Sequence, residues 1–147
     1  MSIAFTGRPI ISGNVSGESL VTNTGFNTLA CFYKSMLERA EVAICGDKDN
    51  KELFGKILTG KIICLPKGIG STTTGATWER IAQLGINPKA MLFSEHIDSL
   101  SAAGLILADV WVGKRIYTID QLGKDFLKYA KSGQRIEIKK DGTVILD

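Results

Sequence analysis

The chain has 147 residues, the length of one domain, and its 44% hydrophobic content is enough to bury a core. Eighteen Lys and Arg against fifteen Asp and Glu leave a net charge of +3 with no basic run, which points away from nucleic acid and anionic membranes as partners. No stretch approaches the roughly 18 consecutive apolar residues of a bilayer span, and residues 1–8 do not read as a signal sequence, so a soluble, cytoplasmic protein is expected.

Taken in chain order, residues 17–21 read as an early strand, and Asn23, Thr24, Gly25, Phe26 and Asn27 carry loop chemistry. Leu29, Phe32, Tyr33, Met36 and Leu37 then recur at helical spacing behind Thr28, the expected cap. A turn-rich segment follows over residues 46–50. The run Lys61-Ile62-Ile63-Cys64-Leu65 is a short branched strand, ended by Pro66 because proline supplies no ladder donor.

The most informative stretch comes next: Pro66-Lys67-Gly68-Ile69-Gly70-Ser71-Thr72-Thr73-Thr74-Gly75. Two glycines give a bend open to close ligand approach, and a hydroxyl cluster opens a helix bearing Trp78, Ile81, Ala82 and Leu84 and stopping at Gly85. Ser71 to Thr74 therefore sit at the positive helix end, where a carboxylate, a phosphate or a developing alkoxide is favoured. Ordinary helix capping is the plainer reading of the same residues. A Walker loop is excluded because Lys67 precedes the glycines, and a dinucleotide fingerprint because the third glycine falls at Gly75.

Beyond Asn87-Pro88, residues 90–93 form another apolar strand, so strand, helix and strand imply a parallel crossover. Ser94, Glu95, His96, Ile97 and Asp98 then fall at its carboxyl end, where ligands collect in parallel sheets. Asp98 or Ser99 caps a helix over 100–108, residues 116–118 form a strand, and Asp120 caps a helix carrying Leu122, Phe126, Leu127 and Ala130 towards Gly133. Residues 135–139 and 143–146 make a hairpin whose Asp141-Gly142 reads as a type I′ turn. The whole is an α/β, barrel-like single domain spanning residues 1–147.

Cys31, Cys45 and Cys64 form no C-x-x-C pair and read as free thiols in a reducing compartment, Cys64 in the core and the other two flanking a polar region where exposure is open to them. His96 is the sole histidine, so no metal site is expected in this chain. A hydrolase would need Ser71 and His96 within hydrogen-bond reach of each other.

In its strongest segments, residues 60–75 with the Leu-Pro-x-Gly-x-Gly-Ser core, 85–90 and 99–108, together with the final hairpin, the chain resembles the small, swivel-domain subunit of the aconitase-X hydro-lyases. That resemblance implies a swivelling β/β/α barrel paired with a large subunit, which carries an iron–sulfur cluster and most substrate ligands. It also implies that Ser71 is the catalytic base, removing the proton beside a substrate carboxylate while the adjacent hydroxyl leaves towards the partner. Gly68 and Gly70 would let the loop close, and Thr72, Thr73 and Asn27 are candidates to hydrogen-bond the substrate. Glu95 and Asp98 are candidates to orient the serine loop from behind, with helix capping and a solvated strand end as the alternative.

The family's substrates include cis-3-hydroxy-L-proline and mevalonate 5-phosphate. Residues 25–34 depart from the family's Trp-Gly-Gly-x-Asp-Pro-x-Thr-Gly pattern, which implies a different pocket wall. Lys34 and Lys67 are the only cations expected near the loop, and a phosphate calls for more, so cis-3-hydroxy-L-proline is the expected substrate and mevalonate 5-phosphate the alternative. A non-catalytic swivel-type binding module is the second alternative.

Overall fold

The computed structural model describes residues 2–147. Ten strands and four α-helices follow in the order β1 (Ile3–Thr6), β2 (Arg8–Ile11), β3 (Val15–Val21), β4 (Phe26–Asn27), α1 (Thr28–Leu37), β5 (Ile62–Leu65), β6 (Gly68–Ile69), α2 (Thr74–Gln83), β7 (Ala90–Phe93), α3 (Ser99–Leu107), β8 (Tyr117–Asp120), α4 (Phe126–Tyr129), β9 (Arg135–Ile138) and β10 (Thr143–Leu146). A π-helical turn over Ala108–Val112 extends α3.

Eight strands form one sheet in the order β1-β10-β9-β3-β5-β7-β8-β2. Its two edge strands, β1 and β2, are separated in sequence by Gly7 alone, so the sheet curls until its edges nearly meet, as in a barrel. The strands β3, β5, β7 and β8 run parallel, and the rest pair antiparallel.

All residues of β5 and β7 are buried, as expected of parallel strands covered on both faces. Their side chains alternate between two cores. Ile63, Leu65, Met91 and Phe93 face the helices with Phe32, Trp78 and Leu105, while Ile62, Cys64, Ala90 and Leu92 face the barrel interior with Ile136, Ile138, Val144 and Leu146. The α2–α3 contact depends on Gly104, where a methyl would fall 2.8 Å from Trp78 Cβ and 3.0 Å from Gly75 Cα. Gly104→Ala is therefore expected to lower stability by about 1–2 kcal/mol despite its better helix propensity, read by urea unfolding.

Several sequence expectations are corrected. Asn27, not Thr28, caps α1, its Oδ1 accepting from Ala30 N at 3.1 Å; Thr28 is the first helical residue. The helix buries Thr28, Cys31, Phe32 and Ser35 and leaves Tyr33 and Leu37 exposed. Cys31 and Cys45 are buried rather than exposed, because both pack into the core beneath α1. The helix expected behind Asp120 shrinks to α4, and Asp120 ends a strand with its carboxylate fully buried in an ion pair. In the β9–β10 hairpin only Gly142 is left-handed, at φ 97°, and Gly142 N donates to Lys139 O. That is the longer G1-bulge closure, not a two-residue I′ turn.

Candidate active site

The carboxyl ends of β5, β7 and β8 share one rim, and the serine loop rises from it. Residues 68–69 of that loop pair in parallel with β4, which leads directly into α1. The loop is thus clamped between the starts of two helices. Gly68 N donates to Asp98 Oδ1 at 3.2 Å, while Asp98 Oδ2 accepts from Ser101 N at 2.9 Å and so caps α3. On the other side Gly70, at φ 111°, lies against the Asn27 side chain that caps α1.

No larger residue fits either glycine position without displacement. A methyl at Gly68 would come within 2.6 Å of Asp98 Oδ1 and Ser101 Oγ, and one at Gly70 within 2.9 Å of Asn27 Cγ. Ser71 is delivered at the start of α2, and its hydroxyl is partly exposed. Thr73 N donates to Ser71 Oγ at 3.0 Å, and the Thr73 hydroxyl lies 2.8 Å from the same oxygen. Two donors can therefore converge on Ser71 Oγ, which stabilises negative charge there. Thr72 is exposed.

Ser71 opens onto a cleft of about 510 Å³ lined by Asn27, Leu29, Tyr33, Lys34, Asp47 and Lys48, among others. Lys48 was not foreseen as a site residue, and Lys67, which was, is not among the lining residues. The loop bearing Lys48 is braced from the end of β3: Asn50 Nδ2 donates to Thr22 Oγ1 at 3.1 Å, and Glu52 accepts from Asn23 N at 2.7 Å. No local sequence signal announces that bracing, since the partners lie nearly thirty residues apart.

Glu95 joins the rim through its backbone, Glu95 N donating to Pro66 O at 3.2 Å, while its side chain is exposed. His96 does not pair with Ser71. Its Nδ1 donates to Ile97 O at 2.8 Å, and its Nε2 lies 3.5 Å from Arg8 Nη2. Arg8 is a missed residue of this rim: it donates to both Asp120 oxygens, at 2.9 and 2.8 Å, and Ile97 N adds a third bond at 2.8 Å. Asp120 so fixes the turn from which Asp98 reaches the serine loop.

Burial pushes the Asp120 carboxyl up, but the Arg8 guanidinium and the Ile97 N–H outweigh it and hold it below its ordinary value of 3.8. A depressed carboxyl adds stability that is complete above the unfolded value and is lost as pH falls through the folded one. Arg8→Ala should therefore lower the Tm at neutral pH, and the deficit should narrow as the pH falls through the lowered Asp120 value, where the carboxylate protonates and the ion pair is lost in the wild-type chain as well. Thermal scans across pH 3–7 check this; a deficit that stays constant would assign Arg8 a packing role only.

The three cysteines do not suit an iron–sulfur cluster. All are buried, Cys64 faces the barrel interior while Cys31 and Cys45 lie in the helix-side core, and no group of three or more His, Cys, Asp or Glu among the described residues converges as a metal site. Also among those residues, no helix is long and apolar enough to cross a membrane.

A nearly closed mixed barrel with a glycine–serine loop at its parallel rim defines a swivel-type domain. The aconitase X swivel domain model matches residues 4–146, and the chain belongs to that family. Among curated relatives, the phosphomevalonate dehydratase small subunit of Archaeoglobus fulgidus is 26% identical over 93% of this chain and 92% of its own length. That of Pyrococcus furiosus is 29% identical, over 90% and 92%. The aconitase X crystal structure from Thermococcus kodakaraensis superposes with a TM-score of 0.81 at 23% identity, covering 99% of this chain and 98% of that one, a likeness of fold.

Proposed function

We propose that this chain is the small subunit of a heteromeric aconitase X type dehydratase and that Ser71 is its base. The reading rests above all on the Ser71 hydroxyl, held at the mouth of an open cleft with the Thr73 N–H donating to its oxygen and the Thr73 hydroxyl 2.8 Å from it. A serine accepts a carbon-bound proton only as an alkoxide or on the way to one, and converging donors make that charge less costly. Lys34 and Lys48 add positive potential along the same wall.

The substrate is a hydroxy acid whose proton lies on the carbon beside a carboxylate and whose hydroxyl lies on the next carbon. Ser71 Oγ takes the proton, the hydroxyl departs, and the carbon–carbon double bond of an unsaturated acid forms. The departing hydroxyl leaves towards the large subunit, as the family resemblance implies.

The expectation that only Lys34 and Lys67 lie near the loop argued against a phosphate. Lys34 and Lys48 both line the cleft, together with one carboxylate, Asp47, so a second anionic group on the substrate would find two cations there, and the curated relatives bear the name phosphomevalonate dehydratase small subunit. Mevalonate 5-phosphate is therefore our first choice. cis-3-Hydroxy-L-proline stays as the second, because residues 25–34, which form this wall, depart from the family pattern.

The test is to copurify the chain with its large subunit under anaerobic conditions and follow dehydration of both acids. Turnover of mevalonate 5-phosphate by the pair, and none by the chain alone, is expected. Dehydration of neither acid overturns the substrate reading. Labelling of Ser71 in the isolated chain by an acyl-phosphonate probe would replace the dehydratase with a serine hydrolase.

A further inference from the structure

A second cleft, of about 340 Å³, adjoins the first and shares Lys34, Gly46 and Lys48 with it. Cys45 lies in its wall. Directly across, Cys31 projects from α1 into the same core, and Gly46 N donates to Cys31 O at 3.1 Å. That bond brings the backbones carrying the two cysteines alongside each other, as a disulfide between them requires. Ser35 strengthens the same seam, exchanging hydrogen bonds with the Ile44 backbone at 3.0 and 3.3 Å. The proposed mechanism uses neither thiol.

We propose that Cys31 and Cys45 form a reversible dithiol–disulfide site set into the wall beneath the Ser71 cleft, taking a small two-electron oxidant of the peroxide class. The Cys45 sulfur attacks one peroxide oxygen, the O–O bond breaks, and water leaves, giving a sulfenic acid. The Cys31 sulfur then attacks the Cys45 sulfur, the S–O bond breaks, the S–S bond forms, and a second water leaves. Two thiols and one hydrogen peroxide become one disulfide and two waters; the sulfurs lose two electrons and the peroxide gains them.

The roles follow from the surroundings. A hydrogen bond from Cys31 and one from the Asp47 backbone outweigh burial and hold the Cys45 thiol below its ordinary range, whereas the hydrogen bond to Cys45 and burial push Cys31 up. Cys45, the one on the cleft wall, attacks first. Cys64 stands apart in the barrel interior, where burial alone raises its thiol. The new bond would pin α1 to the segment carrying Gly46, Asp47 and Lys48, which is one wall of the serine cleft.

The experiment treats the folded full-length chain with hydrogen peroxide, blocks remaining thiols after denaturation, and maps peptides by mass spectrometry without reduction. The expected result is a Cys31–Cys45 linked peptide reversed by dithiothreitol, with blockable thiols falling from the three in the sequence to Cys64 alone. Cys31→Ser should leave Cys45 trapped as a dimedone adduct, and Cys64→Ser should change nothing. Three thiols still blockable, a bridge involving Cys64, or Cys45 oxidised to sulfinic acid without a bridge would each overturn the proposal. The readout is chemical, so it stands or falls independently of the dehydratase reading.

Discussion

Ser71→Ala is expected to lower turnover of the assembled enzyme by three orders of magnitude or more, about 4 kcal/mol in the barrier at ~1.4 kcal/mol per decade. Its Tm should stay within a few degrees of wild type, because the hydroxyl is partly exposed and its two side-chain partners are both supplied by Thr73. Those two readouts together separate chemistry from folding. Thr73→Val grades the effect: it removes the hydroxyl that lies 2.8 Å from the Ser71 oxygen and can donate to it once charge develops there, and keeps the backbone N–H, so a loss of roughly tenfold to a hundredfold is expected. Binding of an unreactive substrate analogue should be little changed in Ser71→Ala, since the lost interaction is made with the moving proton. Near-normal turnover in Ser71→Ala would remove this serine from the mechanism.

What could be read ahead of the structure was local, and what escaped was long-range. The strands β5 and β7 announce themselves as compact apolar runs between turn residues, and α2 by its periodic face and its left-handed Gly85. The serine loop was legible for the same reason, since Gly68, Gly70 and Ser71 are neighbours in sequence. The strands β1 and β2 were not, being four-residue edge strands, one of them interrupted by Pro9, whose partners β10 and β8 lie at the far end of the chain.

Asp120 shows the limit most clearly. Followed by a polar and apolar mix it reads as a helix cap, yet its carboxylate is claimed by Arg8, 112 residues away, and an ion pair of that separation leaves no periodic trace. The site was divided along the same line. Ser71 and Asn27 could be named from their own neighbourhoods, while Lys48 reaches the cleft only because Asn50 and Glu52 fasten its loop to the end of β3. The buried seam of Cys31 and Cys45 went unseen because thirteen residues of helix and turn separate them, and flanking polar residues suggested exposure.

Gly70→Ala tests whether the loop's shape, and not merely its serine, carries the activity; a loss of about a hundredfold in kcat is expected, with the fold retained. Two separate costs act at this position. The backbone sits at φ 111°, where a side chain is strained, and the added methyl would meet Asn27 Cγ, Nδ2 and Oδ1 at 2.9 Å each. Either the loop shifts or the cap of α1 gives way, and both move the next residue, Ser71. A displacement of about 1 Å is enough for a hundredfold effect, because proton abstraction needs the oxygen and the carbon-bound proton aligned. The double variant Gly70→Ala with Asn27→Ser divides the two costs: serine still caps α1 but withdraws the atoms that the methyl would strike. Partial recovery of kcat in the double variant assigns the recovered part to the clash and the remainder to backbone strain. Because Asn27 also lines the cleft, the double variant is compared with Asn27→Ser alone; no recovery against that baseline would leave strain as the whole cause, and full activity in the Gly70→Ala single variant would show that the loop need not hold this bend for Ser71 to act.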